Sequence, residues 1–123
     1  MKWTFNQLKK ALLAKRGSFE DFPFGPEVSV FKVGSKMFAL AHPGERPVRV
    51  NLKCYPEEAE IQRTLFPAIL PGYHMNKRHW NTVVLDGSIP DALVHEMIDV
   101  SYDLVFRSLK KAERERVVPP TSP

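Results

Sequence analysis

Val48-Arg49-Val50-Asn51-Leu52-Lys53 alternates an apolar with a polar residue at every step. A period of two belongs to a strand, whose successive side chains point to opposite faces of a sheet. Val48, Val50 and Leu52 are therefore expected to face a core, and Arg49, Asn51 and Lys53 to face out. A sheet apolar on one side and wet on the other points to antiparallel pairing. Upstream, residues 27–33 (EVSVFKV) and 36–42 (KMFALAH) are rich in strand formers and are joined by Gly34-Ser35, a two-residue connection of hairpin type. Downstream, Gly72-Tyr73-His74-Met75 and residues 80–85 flank Asn76-Lys77-Arg78-His79, which reads as two more strands around a basic tip.

Helical signals fill the intervals. Thr4 and Gln7 form a capping-box pair, and Phe5, Leu8, Ala11 and Leu12 recur at helical spacing until Gly17 offers a left-handed stop. Pro56 with Glu57, Glu58 and Glu60 places proline and acids in a first turn, where they suit unpaired amides and the positive dipole end; this second helix extends to about Phe66. Ser88, Pro90 and Asp91 open a long third helix with Leu93, Val94, Met97, Ile98, Leu104, Val105 and Leu109 on one stripe. The resulting order is α-β-β-β-α-β-β-α. Strands grouped in hairpins give an α+β, two-layer fold: a five-stranded antiparallel sheet covered on one face by helices. Residues 1–116 form one domain, and the proline-rich residues 117–123 read as a frayed tail.

A chain of 123 residues is the length of one ordinary domain, and 43% hydrophobic with 26% charged residues excludes a disordered or fibrous chain. No apolar run approaches the roughly 18 residues that span a bilayer, and residues 1–17 lack a small-residue cleavage site after their apolar positions. Cys54 is the one cysteine, which excludes an internal disulfide and fits a reducing compartment. The expectation is a cytoplasmic monomer with no membrane partner. Eighteen Lys and Arg against 14 Asp and Glu give a mild +4. The charges come in blocks: residues 1–16 hold Lys2, Lys9, Lys10, Lys15 and Arg16 without an Asp or Glu, and residues 81–106 hold Asp86, Asp91, Glu96, Asp99 and Asp103 without a Lys or Arg. Only folding can gather the positive blocks onto one side.

The catalytic inventory is thin. No glycine-rich loop cradles phosphate, and no Gly-flanked serine forms a nucleophile elbow. Nothing local activates Cys54, which reads as a small buried hydrophobe. His74 and His79 share a loop with no carboxylate or thiol, and a metal needs three or four donors. No metal, no cofactor and no catalytic residue are expected; the enzyme alternative would have to use His74, His79 or Cys54. The stretch from Tyr73 to Trp80 interleaves basic, amide and aromatic side chains, which can neutralise phosphate and stack on exposed bases. Its plain structural alternative is a solvated turn with Tyr73 and Trp80 anchored in the core.

Lys36-Met37-Phe38-Ala39, residues 72–83 (GYHMNKRHWNTV) and Ser101-Tyr102-Asp103-Leu104-Val105, in this order and spacing, resemble the MmcQ/YjbR family. The resemblance covers the chain except its tail. It implies a compact domain of helix, three strands, helix, two strands and helix, similar to the secretion-chaperone-like fold and described as CyaY-like. It also implies non-enzymatic DNA binding through basic hairpins that contact phosphates, and brings no catalytic residue. The positions here that fit that role are Lys77, Arg78 and Trp80 at the hairpin, with Arg49 and Lys53 on the polar face of the third strand. The acidic last helix, with Asp91, Glu96, Asp99 and Asp103, departs from what a helix reading the major groove would show. The alternative partner is a protein, with the outer sheet face or the Trp80 region receiving a peptide in a chaperone-like way.

Overall fold

A computed structural model describes residues 2–118. The elements follow in the order α1 (Phe5–Leu13), β1 (Phe19–Asp21), β2 (Ser29–Val33), β3 (Lys36–Ala41), β4 (Arg49–Lys53), α2 (Pro56–Leu65), β5 (Ile69–Pro71), β6 (Trp80–Val84), α3 (Asp91–Ser108) and α4 (Lys111–Val117). The fold is α+β, and every pairing in its sheet is antiparallel, in the strand order β1-β2-β3-β4-β6-β5. Local chemistry sets the ends of the elements. The Thr4 hydroxyl accepts from the Gln7 amide at 3.1 Å, and the Gln7 side chain accepts from the Thr4 amide at 2.8 Å, which satisfies two free donors at the start of α1. Gly34 turns the β2–β3 hairpin at φ 59°, a conformation that costs glycine nothing.

The register of β4 is the expected one. Val48, Val50 and Leu52 are buried, with Val50 opposite Ala41 on one side and Val83 on the other. The core beneath this face takes Leu8 and Leu12 from α1 and Val94, Met97, Ile98, Tyr102 and Val105 from α3. Each such side chain contributes about 1.5–3 kcal/mol by leaving water. The opposite face of the sheet carries no helix among the described elements. Across it runs one row, Val30, Leu40, Asn51, Thr82 and Leu70, contributed by β2, β3, β4, β6 and β5 in turn.

Four expectations are corrected. The sheet has six strands, not five, because Phe19–Asp21 pairs with β2. The helices number four among the described residues, because the chain turns extended at Leu109 and Lys110 and restarts as α4. The last hairpin pairs Ile69–Pro71 with β6, so residues 72–79 form its loop rather than a strand and a short tip. Val117 closes α4 and packs against the core cluster, so the ordered unit runs past residue 116; residues 119–123 of the expected tail lie outside the described residues.

Candidate functional site

The loop of residues 72–79 is pinned down rather than held away from the sheet. Gly72 donates to the Trp80 carbonyl at 2.9 Å, so close that a Cβ on residue 72 would lie 2.8 Å from that oxygen. The Thr82 hydroxyl accepts the Tyr73 amide at 2.9 Å, and the Asn51 side chain donates to the Tyr73 carbonyl at 3.2 Å. Thr82 also donates to Asn51 at 2.6 Å, so two buried side chains of the open face clamp both polar groups of one loop residue. Further along, Arg63 donates to the Lys77 carbonyl at 2.9 Å, and the Cys54 amide donates to the His79 carbonyl at 2.8 Å.

This anchoring decides where the candidate residues stand. Lys53 faces Trp80 in the ladder, next to the end of the loop that carries Lys77 and Arg78. Arg49 opens β4 opposite Val84 and lies about 13 Å from Lys53 along the strand, at 3.3 Å per residue. Lys77 and Arg78 are exposed, and the Lys77 ammonium donates to the Gly72 carbonyl at 3.3 Å. Trp80 stands apart from these: only 9% of it is exposed, and it lies beneath the backbone crossing of Gly72. Stacking needs an open ring face, so Trp80 is a packing residue here.

Exposed aromatics occur on the same face instead. Tyr73 is 64% exposed and Phe24 65%. The Tyr73 ring lies 4.0 Å from that of His74, tilted by 36°, and His74 itself adopts φ 58°. Phe24, Val28, Met37, Leu40, Tyr73 and Met75 line a groove of about 480 Å³ on the open face, shared with His42, Asn51 and His74. The groove continues past Leu40 and Asn51 toward Arg49, with Glu45 also in its lining. Residue type singles out Trp80; the sequence signal that marks this face is the run from residue 61 to residue 85, which contains no carboxylate.

Folding also sorts the charges. Strands β2 to β6 contain Lys32, Lys36, Arg49 and Lys53 and no Asp or Glu, whereas α2 and α3 hold Glu57, Glu58, Glu60, Asp91, Glu96, Asp99 and Asp103. Lys32 is paired with Asp21 at 2.9 Å, and Lys36 donates to the Ser108 carbonyl at 3.0 Å. No carboxylate lies within ion-pair distance of Arg49, Lys53, Lys77 or Arg78 among the described residues.

The nucleophile alternative fares poorly. Burial pushes the Cys54 thiol up to about 11, so the reactive thiolate is scarce at neutral pH. Among the described residues no three His, Cys, Asp or Glu side chains group as metal ligands, and no described helix is long and apolar enough to cross a membrane.

Known proteins share this architecture. A crystal structure of Deinococcus radiodurans protein DR2400 superposes with a TM-score of 0.88 at 41% identity, covering 98% of this chain and 91% of that one. A Pseudomonas syringae protein gives 0.73 at 28% identity, covering 84% of this chain and 99% of its own. YbdF of Escherichia coli O157:H7 is 41% identical over 98 residues, 80% of each chain. YjbR of Escherichia coli K12 is 33% identical over 115 residues, 94% of this chain and 98% of that one. With the YjbR family model also matching residues 13–104, the chain belongs to the YjbR family.

Proposed function

We propose that this chain is a non-enzymatic nucleic-acid-binding protein, monomeric and cytoplasmic, that contacts phosphates through Arg49, Lys53, Lys77 and Arg78. The observation that carries the reading is the segregation of charge: strands β2 to β6 and the loop of residues 72–79 carry cations and no carboxylate, while the acids gather on α2 and α3. A polyanion approaching α2 or α3 meets like charge, and one approaching strands β2 to β6 and the loop meets the unpaired cations Arg49, Lys53, Lys77 and Arg78. Neutralising four phosphates gives a slope of about −3.6 in log affinity against log salt on duplex DNA and about −2.8 on a single strand. Fluorescence anisotropy with labelled oligonucleotides at several salt concentrations tests this. Lys77→Ala with Arg78→Ala should weaken binding across all sequences and make the slope shallower by about two units on duplex. A folded protein that binds nothing at low salt, or a double variant that binds unchanged, defeats the reading.

The second reading is a peptide-binding module, favoured by the apolar lining of Phe24, Val28, Met37 and Leu40. A pull-down with and without nuclease separates the two: loss of the captured material on nuclease treatment supports nucleic acid, and an unchanged protein band supports the peptide.

A further inference from the structure

We propose that the preferred ligand is a single-stranded nucleic acid, whose bases stack on Tyr73, His74 and Phe24 in the groove across the helix-free face of the sheet. The inference rests on the nucleic-acid reading above and deepens it by naming the form of the ligand and the side chains that meet its bases.

Three observations carry it. The first is preorganisation. Asn51 and Thr82 hold the carbonyl and amide of Tyr73 at 3.2 and 2.9 Å, while the ring of Tyr73 remains 64% exposed beside His74. A large aromatic on an immobilised backbone binds a flat partner at little further cost in order. The second is the groove itself. Its volume of about 480 Å³ lies within the roughly 300–1,000 Å³ typical of ligand sites, and Phe24 stands in the same lining, 65% exposed. Flat rings on a sheet face, with cations beyond them, make a platform for unstacked bases whose backbone runs alongside. The third is complementarity: Arg49 adjoins the groove, Lys77 and Arg78 follow Tyr73 in the loop, and none of the four cations is neutralised by a carboxylate.

The same facts argue against the other occupants. A wing that enters a duplex groove must stand off its domain, whereas residues 72–79 are tied back to Asn51, Cys54, Arg63 and Thr82. The acidic α3 offers no basic face for the major groove. An apolar peptide would fill the groove but leave Arg49 and the loop cations without partners. It would also find the Asn51 side chain already engaged on both of its polar atoms.

Three labelled probes of equal length test this at one low salt concentration: a mixed-sequence single strand, its duplex, and an abasic strand. The single strand should bind about tenfold or more tighter than the abasic strand, because each stacked base is worth a factor of that order, and tighter than the duplex. Tyr73→Ala and Phe24→Ala should each weaken the single strand by about tenfold while leaving the abasic strand unchanged, and Tyr73→Phe should retain binding. Both side chains are exposed, and a melting curve for each variant verifies its fold. Duplex binding that equals or exceeds single-strand binding overturns this inference and leaves the nucleic-acid reading standing, as does indifference to both alanine variants. Absence of binding to all three probes overturns both.

Discussion

Ser101, on the buried side of α3, accepts the backbone amide proton of Lys53 at 2.8 Å. The same hydroxyl donates to the Phe38 carbonyl at 2.6 Å. Ala39–Leu52 is the last direct pair between β3 and β4 at this end, and Phe38–Lys53 would be the next; the serine is inserted in its place. A helix side chain thus completes the ladder and holds open the end of the sheet where Lys53 meets the loop of residues 72–79. Ser101→Ala leaves a buried carbonyl and amide unpartnered and should cost about 1–3 kcal/mol. Chemical denaturation with an unchanged m-value checks this; a variant as stable as the parent contradicts it.

The alternation of β4 predicts Asn51 on the wet face. It does lie on that face, yet it is only 6% exposed, because the loop folds over it. Its two hydrogen bonds make it a clamp, so Asn51→Asp is not the silent change that an exposed position would allow. It loses the donor to the Tyr73 carbonyl and sets a carboxylate against that oxygen. The expected cost is about 1–3 kcal/mol, with faster amide exchange at Tyr73. Val50→Asp, on the core face, should fail to fold at all.

The alternation of Val48 to Lys53 reveals its register because one face is buried, and a slip of one residue would expose all three apolar side chains. The three residues of β1, Phe-Glu-Asp, are too short and too polar to show a period. Residues 72–75 have strand-like composition, but His74 at φ 58° cannot continue a ladder. Ile69–Pro71 sits between prolines and reads as a loop, although an edge strand tolerates proline. The candidate site was half visible. Its cations are a matter of residue type, whereas the exchange of Trp80 for Tyr73 as the exposed aromatic depends on Gly72 crossing over Trp80, a tertiary fact.

Cys54 predicts an alkaline limb in stability. Its thiol is pushed up to about 11 by burial, from an ordinary 9.0. The folded state therefore holds the proton that the unfolded chain releases. This contribution is fully present below about pH 9 and is lost as pH rises toward 11, by about 3 kcal/mol at most. Burial of the Tyr102 hydroxyl raises its pKa and acts in the same direction. Thermal melts from pH 7 to 11 should show a decline above pH 9 that is smaller in Cys54→Ala; identical profiles contradict the assignment.

Gly17 tests the docking of α4. Its φ is 73°, and a Cβ placed on it would lie 2.7 Å from Cγ1 of Val117. Gly17→Ala should cost about 1–2 kcal/mol from the backbone alone and more from the clash. In a Val117→Ala background the clash disappears and the backbone cost remains. The double-mutant cycle should therefore show a favourable coupling, and strict additivity would place α4 elsewhere.

On this reading the helix-free face of the sheet, with Tyr73 at its centre, is the ligand surface. The most direct measurement is a heteronuclear NMR titration of the uniformly labelled protein with an unlabelled mixed-sequence single strand. A ligand on that face shifts Phe24, Leu40, His42, Arg49, Asn51 and Gly72 to Arg78 and leaves α2 and α3 unaffected. Shifts centred on α3, or none at concentrations where the backbone amides are well resolved, would contradict it.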